Sequence, residues 1–357
     1  MSWTDCELGD VVTLKRGHDL PNDRRIDGYI PVVSSSGITG WHNEARAEPP
    51  GVVTGRYGTI GEVFYLDRPY WPLNTALYAI DFHGNDPKFV AYFLRNQLKN
   101  YQSEKAAVPG VDRNVLHKIK VRCPDPQAQE RIVSILSAYD DLIENNRRRI
   151  GLLEQAARLL YREWFVHLRF PGHETVKTVD GLPEGWRILS VEDSVKRLPP
   201  GKLFSQATAS AKGTVPILDQ GKSGQLGFHD EQPSFVASVD DPVIVFANHT
   251  CYQRVIHFSF SAIQNVLPFK PSSNVPNEIY WLHHATLGLV KLNAYKGHWP
   301  EFKIKEIPVP NANIAARFAE FVRPMHAQMH ELEMLNSKLT RAGDLLLPRL
   351  MDGRIPV

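Results

Sequence analysis

The chain of 357 residues has few of the features that mark exported, membrane-spanning or cysteine-rich proteins. Its three cysteines, Cys6, Cys123 and Cys251, lie far apart and form no C-x-x-C pair, which argues against a zinc site or a disulfide framework. The first residues lack the basic and apolar segments of a signal peptide, and no run of about 18 apolar residues occurs. We therefore expect a cytoplasmic protein without membrane segments.

The chain also lacks an excess of charge of either sign. Its 41 Lys and Arg residues nearly balance its 39 Asp and Glu residues, which leaves a net charge of +2. A surface for nucleic acid must then come from local clustering of basic residues, since the bulk charge does not provide one.

The motifs of common enzyme classes are absent as well. The sequence contains no G-x-G-x-x-G, H-E-x-x-H or G-x-S-x-G segment. Gly221-Lys222-Ser223 resembles the end of a P-loop, but Pro216 stands where that loop needs its first glycine. His283-His284 and Asp140-Asp141 are expected on solvated faces, because adjacent residues on a helix point in different directions and cannot share a ligand. We expect no catalytic residues, no metal site and no cofactor in this chain.

The two halves of the chain resemble each other at a spacing of about 185 residues. The sharpest match is Gly37-Ile-Thr-Gly-Trp-His-Asn43 against Gly224-Gln-Leu-Gly-Phe-His-Asp230, in which two glycines precede an aromatic residue, a histidine and an Asx residue. Ile30-Pro-Val-Val33 likewise corresponds to Val215-Pro-Ile-Leu218. This repeat predicts two domains of the same fold.

Each half ends in a long segment with apolar residues at alternating spacings of four and three, the heptad pattern of a coiled coil. Each predicted helix has about 40 residues and a length of roughly 60 Å. We expect the two helices to pair antiparallel about a pseudo-twofold axis, although ordinary core helices would show the same local pattern. Asn146 and Asn336 on the seams either fix the register or are simply exposed. The seam residues are Ile132, Leu136, Tyr139, Ile143, Ile150, Leu153 and Leu160 in the first helix and Met325, Met329, Leu332, Leu339 and Leu346 in the second.

The remaining segments combine short β-rich runs, such as Gly51-Val-Val-Thr54, with turns and one helix each, near residues 87–98 and 277–292. The predicted fold class is α+β, with two α/β domains separated by the two long helices. The predicted boundaries are 1–124 and 183–310 for the domains and 125–170 and 311–350 for the helices.

Basic residues gather at corresponding places in the two halves, between residues 99 and 122 and between residues 291 and 305. Polar residues among them supply donors and acceptors for phosphates and base edges. One such loop is more often only a solvated surface. Here the arrangement occurs twice, at the ends of a spacer comparable in length to one or two turns of duplex. This pattern favours a DNA-binding protein.

Several segments resemble the specificity (S) subunits of type I DNA restriction-modification systems, and the resemblance covers nearly the whole chain. They are residues 124–136, residues 141–156, Trp164-Phe165 before Phe170-Pro171-Gly172, Leu182-Pro-Glu-Gly-Trp186 and Gly55-Arg-Tyr-Gly-Thr-Ile-Gly61. The second helix departs from the family pattern, because Asn311-Ala-Asn-Ile-Ala-Ala-Arg317 replaces the usual proline and Glu/Gln-rich entry. Identical contacts of the two helices to partner subunits are therefore not implied.

The resemblance implies a non-catalytic subunit whose two target recognition domains each read one half of a split, asymmetric DNA site. Two methyltransferase (M) subunits would methylate adenine N6, and two restriction/translocase (R) subunits would carry out ATP-dependent restriction. S-adenosylmethionine, ATP and Mg²⁺ would then bind to those partners.

Specificity is expected in polar loop residues that differ between the halves, because domains that read different bases share only their framework. Arg can bind guanine, and Gln or Asn can bind adenine, through paired hydrogen bonds. The candidates are Ser35, Ser36, Arg56, Tyr57, Lys105, Arg113 and Asn114 in the first half and Lys202, Gln206, Gln220, Lys222, His249, Gln253, Arg254, Lys296 and His298 in the second.

Two other functions stay open. A coiled-coil scaffold that joins proteins without reading DNA would show a weak salt dependence and no sequence preference. A hydrolase that uses the histidines near His249 or His298 would be active without partners.

Overall fold

The computed structural model of the chain describes residues 2–57, 61–99, 110–221, 224–292 and 296–357. The chain forms two compact units, residues 1–145 with 336–357 and residues 146–335. Both borders lie inside long helices, so each unit contains one globular half and a part of each long helix. The predicted boundaries instead separate globular segments from helices, and they stay a prediction.

The first half of the chain folds into short strands around one medium helix. A sheet with the order β2-β8-β5-β6 lies at its centre, beside a sheet β4-β3-β7 and an antiparallel ribbon β1-β9. The elements are β1 (Trp3–Glu7), α1 (Leu8–Val11), β2 (Thr13–Arg16), β3 (Ile30–Ser34), β4 (Gly37–His42), β5 (Gly51–Gly55), β6 (Val63–Leu66), β7 (Trp71–Pro72), β8 (Ala76–Asp81), α2 (Pro87–Leu98), α3 (Arg113–His117) and β9 (Lys120–Pro124).

The second half begins after the first long helix and ends with the second. The elements are α4 (Pro126–Tyr161), β10 (Thr178–Val179), β11 (Leu182–Pro183), β12 (Arg187–Ser190), α5 (Val191–Ser194), β13 (Val195–Arg197), β14 (Leu203–Phe204), β15 (Val215–Leu218), β16 (Gly227–His229), β17 (Val243–Ala247), β18 (Gln253–Ile256), β19 (Ser261–Ile263), β20 (Val266–Pro271), α6 (Ile279–Thr286), α7 (Trp299–Lys303), β21 (Glu306–Val309) and α8 (Ala312–Met351).

The two halves share their strand order. The sheet β13-β20-β17-β18 corresponds to β2-β8-β5-β6, and the ribbon β12-β21 corresponds to β1-β9. The sheet β16-β15-β19 corresponds to β4-β3-β7 and is extended by β14. The topology therefore repeats within the chain, as the matched glycine turns predict.

Local signals explain where the medium helices begin and end. The Asp86 side chain caps α2 by accepting a hydrogen bond from Phe89 N at 2.8 Å, and Pro87 occupies the first turn, where its missing N–H costs nothing. The predicted helix over residues 87–98 is confirmed. In the second half α6 is shorter than predicted, because it stops before Gly288, whose φ of +80° lies in the left-handed region.

The prediction that His283 and His284 lie on a solvated face is wrong. Every residue of α6 from Tyr280 to Thr286 is buried. This helix packs into the core beside Trp164 and Phe318, so both of its sides are covered. Asp140 and Asp141, by contrast, are exposed on α4.

Two long helices form where the heptad pattern predicts them. The helix α4 ends in a single π-helical turn at Arg162–Val166. The helix α8 continues through Pro324, although proline donates no hydrogen bond to the preceding turn. No helix in the described ranges is long and apolar enough to cross a membrane.

The predicted seams are the packed faces of these helices, because every seam residue named above is buried or half-buried. In the first unit, Ile132 and Leu136 share a hydrophobic cluster with Leu347 and Leu350. In the second unit, Ala157 and Tyr161 share a cluster with Phe318 and Val322. Asn146 is 1% exposed and Asn336 is half-buried, so simple exposure does not explain these two asparagines.

Candidate nucleic-acid interface

Backbone hydrogen bonds join four loops of the first unit into one surface. Leu73 N donates to Val33 O at 2.8 Å, which ties the β7–β8 turn to the β3–β4 hairpin. Arg56 N donates to Thr75 O at 2.9 Å, and Val111 N donates to Arg56 O at 2.8 Å. The segment after β5 is thereby held between the β7–β8 turn and the start of α3. The candidates carried by these loops are Ser35, Ser36, Arg56, Tyr57, Arg113 and Asn114.

This first surface carries two arginines beside polar and aromatic side chains. The guanidinium of Arg56 lies 4.5 Å from the centre of the Tyr57 ring, a cation–π contact that holds the half-buried arginine beside an exposed aromatic ring. Arg113 and Asn114 are exposed in the first turn of α3, where the Asp112 side chain accepts a hydrogen bond from Asn114 N at 2.9 Å. Arginine, tyrosine and asparagine side chains suit contacts to phosphates and base edges.

The second unit repeats the same connection with different residues. Asn248 follows β17 as Arg56 follows β5. Asn248 N donates to Asn265 O at 2.8 Å, and His298 N donates to Asn248 O at 2.8 Å. The Asn248 side chain adds a further bond, because its Oδ1 accepts from Trp299 N at the start of α7 at 2.7 Å. Sequence analysis missed Asn248, and the signal that could have found it is its position after the strand that matches β5.

The turn between β15 and β16 is joined to this loop. His249 N donates to Gln220 Oε1 at 2.9 Å, and Thr250 Oγ1 donates to Gln220 O at 2.6 Å. Arg254 donates from its guanidinium to Gly224 O at 2.6 Å. Gln220 and Arg254 therefore position the turn, and His249 stands half-buried beside it.

Two predicted base-reading residues are in the interior, and we remove them from the candidate set. Gln253 is 6% exposed, because its side chain turns towards α6 and donates to His283 O at 3.0 Å and to Thr286 Oγ1 at 2.9 Å. His298 is 0% exposed and directly precedes α7, with its Nδ1 3.7 Å from Glu301. A polar residue in a predicted loop can face either way, and the sequence does not show which.

The other candidates of the second half lie at the surface. Lys202 pairs with Glu231 at 2.5 Å, and the hydrogen bond from Lys202 lowers the pKa of that carboxyl group. Gln206 is exposed, and Lys296 is 55% exposed with its Nζ 4.0 Å from Glu301. The structure does not test the predicted roles of Lys105 and Lys222, which lie outside the described residues.

Residues 1–155 match the model of the family described as type I restriction modification DNA specificity domain. Two relatives carry the corresponding name. The MjaIX specificity subunit of Methanocaldococcus jannaschii is 24% identical over 276 residues, which are 70% of this chain and 63% of that protein. The HindI specificity subunit of Haemophilus influenzae is 25% identical over 211 residues, 56% of this chain and 43% of that protein. Residues 1–155 of this chain therefore carry a type I restriction modification DNA specificity domain.

The chain spans less than two thirds of the length of these curated relatives. The fold extends beyond the segment matched by the family model. The crystal structure of a type I restriction-modification S subunit from M. genitalium has a TM-score of 0.60 at 16% identity and covers 98% of this chain and 96% of that chain. This similarity shows a shared fold over both halves.

Proposed function

We propose that this chain is the specificity subunit of a type I restriction-modification system and that it recognises a bipartite, asymmetric DNA site, with each globular half reading one half of the site. The repeated loop connection carries the proposal. Both halves hold the loop after a central strand between a neighbouring turn and the start of a short helix by equivalent backbone bonds, through Arg56 in one half and Asn248 in the other. Because the framework is the same and the polar side chains differ, the two halves suit the recognition of different bases.

We also propose that α4 and α8 form an antiparallel spacer between the two reading surfaces. Each unit contains the first part of one long helix and the last part of the other, as two antiparallel helices require. The named seam residues of both helices are buried or half-buried. The spacer would set the distance between the half-sites, with any bending of the DNA adding to its range.

Catalysis would belong to other chains of the complex. Two M subunits would methylate adenine N6 with S-adenosylmethionine, and two R subunits would use ATP and Mg²⁺ for restriction. The specificity subunit would direct both activities to its site in the cytoplasm.

The test is to co-express the specificity subunit with the methyltransferase encoded beside it and to map N6-methyladenine over the host genome by single-molecule sequencing. We expect one split motif, and exchange of residues 1–124 for the corresponding segment of a relative should change only one half of it. A stable complex without any motif would favour a scaffold that does not read DNA, and no complex at all would contradict the proposal.

A further inference from the structure

Three histidines that the proposed function does not use meet in the core of the second unit. His283 and His284 belong to α6, and His326 belongs to α8. Their exposed fractions are 6%, 7% and 7%. One ring nitrogen of each histidine lies within 4.8 Å of one ring nitrogen of both others. Three imidazoles are thus gathered from two helices in a space closed to bulk water.

The spacing of these nitrogens is close to that of ligands on one ion. His284 Nε2 and His326 Nε2 are 3.3 Å apart. Two nitrogen ligands at about 2.0–2.1 Å from a tetrahedral zinc ion are about 3.4 Å apart. This pair therefore already has the separation of two ligands, while a pair at the 4.8 Å limit of the cluster would have to close by about 1.4 Å.

A buried acceptor without a donor lies next to the cluster. The Gln253 amide nitrogen is 3.2 Å from His283 Nδ1, whereas the Gln253 amide oxygen has no hydrogen-bond partner among the described residues. An unmatched buried acceptor is costly and calls for a missing group. Sites with three histidines commonly hold water as a fourth ligand, and such a water would supply the donor that this oxygen lacks.

We propose that His283, His284 and His326 bind one divalent transition-metal ion, Zn²⁺ by ligand type, which fastens α6 of the globular half to the long helix α8. Imidazole nitrogen suits zinc, nickel and copper and not magnesium or calcium. The site departs from the expectation that this chain holds no metal, which rested on cysteine spacing and on the divergence of adjacent side chains.

The positive charge of Arg158 opposes binding of a cation and so provides a test of the proposal. The positive charge of Arg158 on α4 contributes to the lowered pKa of both His283 and His284. The same charge repels a dication. Replacement of the exposed Arg158 by glutamine should therefore strengthen metal binding, an effect that a purely structural histidine cluster would not show.

The test uses the full-length chain without a histidine tag, stripped of metal with a chelator. Titration with Co²⁺ is followed by visible absorption, and Zn²⁺ retained after gel filtration is measured by elemental analysis. We expect one ion per chain and the intense absorption of cobalt in a low-coordinate site. His326→Gln should weaken Co²⁺ binding by at least about 100-fold, since even residues behind the ligands contribute about 10- to 100-fold. His167→Gln, which changes an exposed histidine, should leave the titration unchanged.

Retention of no ion by the wild-type chain would overturn the proposal, and so would equal binding by wild type and His326→Gln. If His326→Gln does not fold, the wild-type cobalt spectrum and the Arg158→Gln titration decide. A weak octahedral spectrum, or no gain in affinity on removal of the Arg158 charge, would show that the histidines only hydrogen-bond to one another. None of these outcomes depends on DNA recognition, so the proposed function is tested separately.

Discussion

The packing of the second unit predicts a large effect of Phe318→Ala. Phe318 on α8 is 0% exposed, and its ring centre lies 5.1 Å from that of Phe165, 6.0 Å from that of Trp164 and 6.1 Å from that of Tyr161. Truncation removes a buried ring from between rigid aromatic neighbours that cannot collapse around the gap. We expect the free energy of unfolding of the second unit to fall by about 3–5 kcal/mol, the usual cost of Phe→Ala in a core.

Phe321→Ala is the matched control, one turn further along the same helix. Its side chain is 55% exposed, and its ring retains a single edge contact to Trp164 at 5.9 Å. We expect the free energy of unfolding to fall by about 1 kcal/mol. The half-exposed Phe321 ring gains only roughly half of the free energy of full burial, and its contact with Trp164 contributes about 0.5–1.5 kcal/mol.

The two variants are compared by urea unfolding combined with hydrogen exchange, which reports each unit separately. Phe318→Ala should lower the protection of amides in α6 and β17 and leave those in α2 and β5 unchanged. Equal losses for Phe318→Ala and Phe321→Ala, or a loss below about 2 kcal/mol for Phe318→Ala, would refute the assignment of the Phe318 side of α8 as the packed face.

Four further outcomes follow from the surfaces. Arg113→Ala should cost about 1–3 kcal/mol of binding to the cognate DNA and relax one base position if Arg113 contacts a base, or weaken all sequences alike if it contacts a phosphate, as competition binding would show. Asn248→Ala removes the bond to Trp299 N at the start of α7. Mapping of the methylated motif should then show relaxed recognition in one half-site and an unchanged other half. Glu231→Gln frees Lys202 from its ion pair at 2.5 Å and should make the salt slope of DNA binding steeper if this lysine lies near the backbone, whereas an unchanged slope would place it away from the DNA. Hydrogen bonds from Ser2 N and Ala128 N lower the pKa of Asp125, so its carboxylate stabilises the fold above the ordinary pKa near 4, and this contribution is lost as the pH falls below it. Asp125→Asn should remove that part of the acid unfolding curve.

The elements that sequence analysis located are those whose signals are local. The helix over residues 87–98 is marked by Asp86 and Pro87 at its start and by an apolar face, so its limits can be read from neighbouring residues. The heptad seams extend over many turns, and the structure buries or half-buries each of their named residues. The repeat could be found because glycine turns demand the same residues in both halves.

What sequence analysis could not locate depends on the direction in which a side chain faces. Gln253 and His298 are polar residues in or near loops, and only the packing against α6 and the start of α7 turns them inward. His283 and His284 are neighbours on a helix, but α6 is enclosed on both sides, and His326 lies 42 residues after His284, on α8. Such proximity is a property of the tertiary fold.

The comparison of Arg56 with Asn248 shows why specificity should move with whole segments and not with single residues. Both follow a central strand and make equivalent backbone bonds. The Arg56 side chain stacks on Tyr57, whereas the Asn248 side chain is bonded to Trp299 N and so shapes its own loop. An arginine at position 248 would lose the side-chain acceptor that binds Trp299 N. An asparagine at position 56 would lose the stacking on Tyr57. Exchange of residues 1–124 preserves each side chain with the loop that orients it, so this exchange should transfer recognition of one half-site where point substitutions fail.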